Sequence, residues 1–223
     1  MNTPMVDLKL VKESILRIQM KNQIQEDDLR RIFLQIVSKE AEILDCGKSL
    51  RNYFNDAKSN FASVETIDIN SFDDYPDHVV DICNETSMRK FKSRYDAISC
   101  FSLLEHCYDP MSACRNLFGA LKKDGMIIGS APFLFPRHSP EDLSYQDFFR
   151  FTRDAYAVLF PQAKSIELFP LRGRVATSLN VLTTRYRFNF EEKFPRISKK
   201  LNKVGSQGRQ SLQCSGYGFI ISK

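Results

Sequence analysis

The sequence predicts an α/β protein built on a doubly wound, mostly parallel sheet of seven strands. Three observations carry that prediction. Short apolar runs alternate with helical segments along most of the chain, the order that gives crossover-linked parallel strands. The stretch YDAISCFSLLEHCYDPMSACRNLFGALKKDGMIIGSA, Tyr95 to Ala131, is a complete strand, loop, helix, turn and strand. Two acidic strand ends, Asp45 and Asp68, lie 23 positions apart, a spacing used in this architecture to hold the ribose of a nucleoside.

Taken in order, residues 5 to 38 place Leu8, Leu10, Val11, Ile15, Leu16 and Ile18, then Leu29, Ile32, Phe33, Ile36 and Val37, at the spacing of two amphipathic helices broken near Gln25 to Asp28. This preface, residues 1–40, is expected to cover the sheet or the site. AEILDCG, ending in Asp45 and Gly47, is the first strand and its turn, followed by a polar segment able to form a helix. FASVETIDI, ending at Asp68 and Ile69, is the second strand, and HVVDI the short third. Asn84, or Thr86 and Ser87, caps a brief helix. Tyr95 to Cys100 and Met126 to Ala131 are strands four and five. Between them Asp109 and Pro110 open a helix as an N-cap followed by proline in the first turn. After a proline-rich loop, Thr152 is a candidate cap for a further helix. Lys164 to Phe169 and Gly216 to Ser222 are strands six and seven. The basic stretch between them, about 171–213, is an insertion within a domain spanning 41–223.

Composition narrows the function classes. The chain has 223 residues, 43% of them hydrophobic, and no apolar run long enough to span a bilayer. The N-terminus alternates charge with Leu and Ile and lacks a signal-peptide core, so a cytoplasmic location is expected. Six cysteines stand in apolar surroundings with no C-x-x-C pair and no His partner at zinc spacing, which predicts reduced, packed thiols and no metal site. The formal charge of +5 is too small to indicate nucleic acid. The sequence sets no oligomeric state.

In a doubly wound sheet the ligand sits in the crevice at the carboxyl ends of the strands. Asp45 and Gly47 offer the turn that brings backbone close to it, and Asp68 offers a carboxylate that accepts charge-assisted bonds from two ribose hydroxyls. In the loop after strand five, His138 is the obvious base for a hydroxyl acceptor. Arg137, Tyr145, Asp147 and Arg150 share that loop and are candidates to read a polar or anionic acceptor; Arg150 can equally pair with Asp147.

In this order the words ILDCG, TIDIN, HVVDICN, YDAISCFSLLEHCYDP and LKKDGMIIGSAPF resemble the motifs of class I S-adenosylmethionine-dependent methyltransferases of the type 11 group, over residues 41 to 170 and the last strand. FPRHSPEDLSYQDFFRFT resembles a loop of members encoded among sugar and polysaccharide genes. The resemblance implies a Rossmann-like fold, S-adenosylmethionine as cofactor, and a small-molecule or glycan-linked acceptor. It places Asp45, Gly47, Asp68 and Ile69 at the ribose and methionine, Asp81 and Ile82 at the adenine, and Cys100 and Phe101 toward the sulfonium. One departure stands out. The group has D-x-G-x-G-x-G in its first motif, whereas here Gly47 is followed by Lys48, Ser49 and Leu50. Two alternatives stay open: a variant turn that still binds, or a degenerate site in a non-catalytic binding or assembly module of the same fold. A nucleic-acid methyltransferase is a third and weaker one, because the chain lacks an Asn-Pro-Pro-Tyr base-flipping signature.

Overall fold

The computed structural model describes residues 8–71, 73–140, 145–182, 194–197, 200 and 213–223. Helices α1 (Leu8–Arg17) and α2 (Glu26–Ile36) flank strand β1 (Ile18–Met20). They are followed by β2 (Glu42–Cys46), α3 (Phe54–Asn60), β3 (Ser63–Asp68), β4 (His78–Val79) and α4 (Glu85–Met88). Then come β5 (Tyr95–Phe101), α5 (Pro110–Ala120), β6 (Leu121–Pro132), α6 (Ala155–Leu159), β7 (Ser165–Leu171), α7 (Arg174–Leu182) and β8 (Gly216–Ser222). The strands form one sheet in the order β1-β7-β8-β6-β5-β2-β3-β4. Only β8, inserted between β6 and β7, runs antiparallel to its neighbours.

The period-two pleat explains why the central strands read as nearly unbroken apolar runs. In β5, Ile98 and Cys100 join a core under α1, α5 and α6 that includes Leu117, Tyr156 and Phe219. Ala97 and Phe101 face the opposite core with Leu29 and Phe33 of α2 and Ala57 of α3. Both faces are covered, as the doubly wound expectation requires. All six cysteines are free, five of them buried. Among the described residues no helix is long and apolar enough to cross a membrane.

The sheet has eight strands, against the seven expected. The addition is Ile18–Met20, read in the sequence as part of a helix. It pairs in parallel with β7, Ile18 opposite Ile166 and Met20 opposite Leu168. The physical reason is the edge: without it, β7 would present an open row of donors and acceptors to solvent. The Lys-Asp-Gly turn expected before strand five lies inside β6, where the pairing shifts register between Tyr95 and Ala97 and Asp124 takes φ 61°. The turn has become a bulge. The helix expected to be capped by Thr152 starts later, at Ala155, whose N–H donates to the Thr152 carbonyl at 3.1 Å. Of the 171–213 segment, α7 is described; most of the rest lies outside the described residues.

The α5 cap is as the sequence indicated. Asp109 Oδ1 accepts from Ser112 N at 3.0 Å, with Pro110 in the first turn. That hydrogen bond holds the Asp109 carboxyl below its ordinary value of 3.8. A depressed carboxyl contributes stability above its unfolded pKa and loses it as pH falls through the folded one. Asp109→Ala is therefore expected to cost about 1 kcal/mol near neutrality, a difference that shrinks below pH 3.8. Urea titrations at two pH values measure it.

Candidate active site

The carboxyl ends of β2, β3 and β5 open into a crevice of about 1010 Å³. Its floor is the turn after β2. Gly47 has φ +67°, its N–H donates to Ile67 O at 2.8 Å, and a Cβ there would lie 2.9 Å from Leu103 Cδ1. The positive φ favours glycine, and a Cβ would press on the tip of the Leu103 side chain. Lys48 and Arg51 also take positive φ, 55° and 49°, so residues with side chains occupy conformations that glycine would hold without strain.

What holds this turn is a buried polar network. Asp45, fully buried, accepts through Oδ1 from Ser49 Oγ at 2.7 Å, from Leu50 N at 3.1 Å and from Ser99 Oγ. Burial pushes its carboxyl up, and the Ser99 and Ser49 bonds only partly offset this. Arg30 of α2, 1% exposed, donates from Nε to Ser49 O at 2.9 Å and packs its guanidinium 4.6 Å from the Phe101 ring centre. It also pairs with Asp27 at 2.8 Å and with Glu26. Glu26 Oε2 in turn accepts from Ser130 Oγ at 2.7 Å and Ser102 Oγ at 3.1 Å. Burial works to raise the Glu26 carboxyl, but Arg30 and Ser130 outweigh it and hold the group below its usual range. The first turn of α2 is thereby pinned across the strand ends. Lys48 N donates to the Tyr75 hydroxyl at 2.6 Å, and Lys48 Nζ lies 4.9 Å from the Tyr75 ring centre.

Of the residues expected at a cofactor, Gly47, Asp68, Ile69, Asp81 and Ile82 line the crevice. Asp68 Oδ1 accepts from Asn70 N at 2.9 Å, which fixes the carboxylate at the end of β3. Asp81 accepts from Cys83 N and from the Tyr108 hydroxyl, each at 2.8 Å; a carboxylate has further lone pairs to offer. Asp45 lies beneath the turn. Cys100 and Phe101 are buried in the two cores, and the next residues, Ser102 and Leu103, meet the crevice in their place.

The other wall comes from the loop after β6. His138 and Tyr145 line it, together with Glu105 and His106. The loop is tied to its neighbour by Phe148 N and Phe149 N, which both donate to Glu105 O. Asp147 Oδ2 accepts from His138 N at 2.9 Å and lies 3.3 Å from its Nδ1. Arg150 grips both Asp147 oxygens and donates to the carbonyls of Phe135, Pro136 and Phe149. Against the upward pull of burial, that fork lowers the Asp147 carboxyl to about 2. Asp147 and Arg150 thus shape the loop, and neither lines the crevice; Arg137 is exposed and also stands outside it. Sequence reasoning missed Glu26, Arg30 and Tyr75. The only signal for the first two was acid and base at i, i+4 in EDDLR, which ordinarily marks a solvated face.

Comparison with curated proteins by sequence gives no match. Among solved structures, a SAM-dependent methyltransferase from Archaeoglobus fulgidus superposes with a TM-score of 0.55 at 13% identity, covering 97% of this chain and 100% of that one. Phosphoethanolamine N-methyltransferase 2 of Haemonchus contortus, solved with S-adenosyl-L-methionine, gives 0.51 at 13%, covering 91% and 54%. The cyclase SpnF gives 0.52 at 10%, covering 97% and 92%. These likenesses share the fold and, by including a cyclase, leave the chemistry to the sequence family. A family model described as a methyltransferase domain matches residues 16–169, most of the described sheet and both walls of the crevice, and the chain belongs to that family.

Proposed function

We propose that this protein is an S-adenosylmethionine-dependent methyltransferase of a small-molecule or glycan-linked acceptor, acting in the cytoplasm, with residues 1–40 as a cover on a 41–223 catalytic domain. The observation that carries this reading is the open crevice. Despite the missing glycines, side chains do not fill it, and a cavity of about 1010 Å³ is at the upper end of small-molecule sites.

The residues present fit a nucleoside cofactor: a carboxylate fixed at the end of β3, a glycine turn that admits close approach, and an acidic and apolar pair at Asp81 and Ile82. When bound, S-adenosylmethionine supplies a methyl group already activated on a sulfonium. Asp68 would accept from the ribose hydroxyls and Asp81 and Ile82 would hold the adenine, while Arg30 with Asp45 braces the Gly47 turn. On the acceptor side, the Asp147 carboxylate and the Pro136 carbonyl, 3.3 and 3.4 Å away, keep a proton on His138 Nδ1. Nε2 is left to take the acceptor's proton. Positioning supplies most of the rate in such a transfer. Tyr145, on the crevice wall, is offered to a polar acceptor, and the loop resembling the polysaccharide-cluster type supports a sugar-like one.

One observation favours the rival, a binding module without catalysis: the Tyr75 hydroxyl already engages the Lys48 N–H, a donor at the floor of the crevice. A crystal soaked with S-adenosylhomocysteine separates the two. Ribose density at Asp68 and adenine beside Ile82 support the enzyme. A crevice that stays empty at saturating ligand, with Tyr75 in place, favours the module.

A further inference from the structure

We propose that Glu105, His106 and His138 form a binding site for a divalent first-row transition cation, zinc the best match, at the acceptor end of the crevice. One ligand atom from each lies within 4.8 Å of the others. Glu105 Oε1 is 3.7 Å from His106 Nε2 and 3.6 Å from His138 Nε2. Ligands about 2.1 Å from a tetrahedral zinc stand roughly 3.4 Å apart, so the two Glu105–histidine separations are within a few tenths of an ångström of that geometry.

The histidines are already held in the tautomer that metal binding needs. His106 Nδ1 donates to the Gln146 carbonyl. His138 Nδ1 faces the Asp147 carboxylate and the Pro136 carbonyl. With each Nδ1 proton committed, both Nε2 lone pairs turn toward Glu105. Carbonyl and carboxylate partners on the far ring nitrogen are the usual outer support of metal-ligating histidine, and the Arg150 fork on Asp147 fixes one of them.

An independent sign is Glu105 itself. Its side chain is 1% exposed, and Oε2 is buried with no hydrogen-bond partner among the described residues. Leaving a carboxylate oxygen in that state is costly, and a cation removes the deficit. Two imidazoles and one carboxylate suit zinc, cobalt or iron better than magnesium, which prefers oxygen alone. Because all three residues line the crevice, the remaining coordination positions face it, the arrangement of an open rather than a structural site. With the cation bound, His138 Nε2 would be a ligand and no longer free to take the acceptor's proton.

The inference does not rest on the methyl-transfer reading, and its test uses no cofactor. The full-length protein, freed of metal with a chelator, is titrated with Co²⁺ alone. One equivalent is expected to give the visible d–d bands of a low-coordinate nitrogen and oxygen site, without a near-ultraviolet thiolate band, and to be displaced by Zn²⁺. His138→Ala and His106→Ala are expected to weaken binding more than about tenfold, and Asp147→Asn, in the outer support, by about tenfold or more. His78→Ala, which removes the histidine paired with Glu65, leaves it unchanged. Circular dichroism and melting temperature show which variants fold; Glu105→Gln, which keeps the shape of the side chain, provides a further one. Absence of d–d bands, a thiolate band, or binding that survives both histidine substitutions overturns the site. Binding of S-adenosylhomocysteine to the chelator-treated protein is measured separately, so failure of one reading leaves the other visible.

Discussion

Arg30→Ala is expected to lower the unfolding free energy by about 3–5 kcal/mol, the range for removing one partner of a buried ion pair. Arg30 is 1% exposed and answers three needs at once. It pairs with the carboxylate of Glu26, which has been drawn off the surface to bind Ser102 and Ser130. It satisfies the Ser49 carbonyl, and its guanidinium packs on Phe101. Alanine leaves a mostly buried carboxylate and a buried carbonyl uncompensated, plus a cavity against Phe101. Asp27, 65% exposed, is a surface partner and adds little. Arg30→Lys keeps the charge but loses the planar fork and the stacking, and should fall between the two. Urea unfolding midpoints measure the series. A loss within about 0.5 kcal/mol, the scale of an ordinary surface substitution, contradicts the role given to Arg30.

Asp68→Ala is expected to leave the fold intact and weaken S-adenosylhomocysteine binding by about a hundredfold or more. The side chain sits at the end of β3, on the crevice rather than in a core, and among the described residues its hydrogen bond is the local one from Asn70 N. Its substitution therefore costs little in folding. Two bonds from ribose hydroxyls to a charged acceptor are each worth about 1.5–3 kcal/mol, and each 1.4 kcal/mol is about tenfold in affinity. Calorimetric titration of the variant beside the wild type reads the difference. Unchanged affinity places the ribose elsewhere.

The central sheet was legible because parallel strands buried on both faces leave continuous apolar runs, and because the cap at Asp109 and the glycine at 47 have local causes. The crevice followed from topology. Three residues at Ile18–Met20 were not legible: a strand that short has no period of its own, and only the open edge of β7 selects it. The polar scaffolding was hidden for a related reason. Arg30 meets Ser49 19 residues away, and Glu26 meets Ser102 and Ser130 at separations of 76 and 104. No periodicity carries such pairings. His138 stood out as a lone loop histidine, yet its partners, Glu105 and Asp147, come together only when the loop folds back over the end of β5. Lys48 was read correctly as the departure from the glycine-rich motif. How the turn survives without those glycines depended on a helix that precedes it.

The account stands or falls on whether the crevice over Gly47 and Lys48 binds the cofactor. Calorimetric titration of the wild-type protein with S-adenosylhomocysteine, alongside its melting temperature, is the most direct measurement. The expected result is one site per chain with micromolar affinity and a rise in melting temperature that grows with ligand concentration. No heat and no thermal shift with either S-adenosylhomocysteine or S-adenosylmethionine would contradict it.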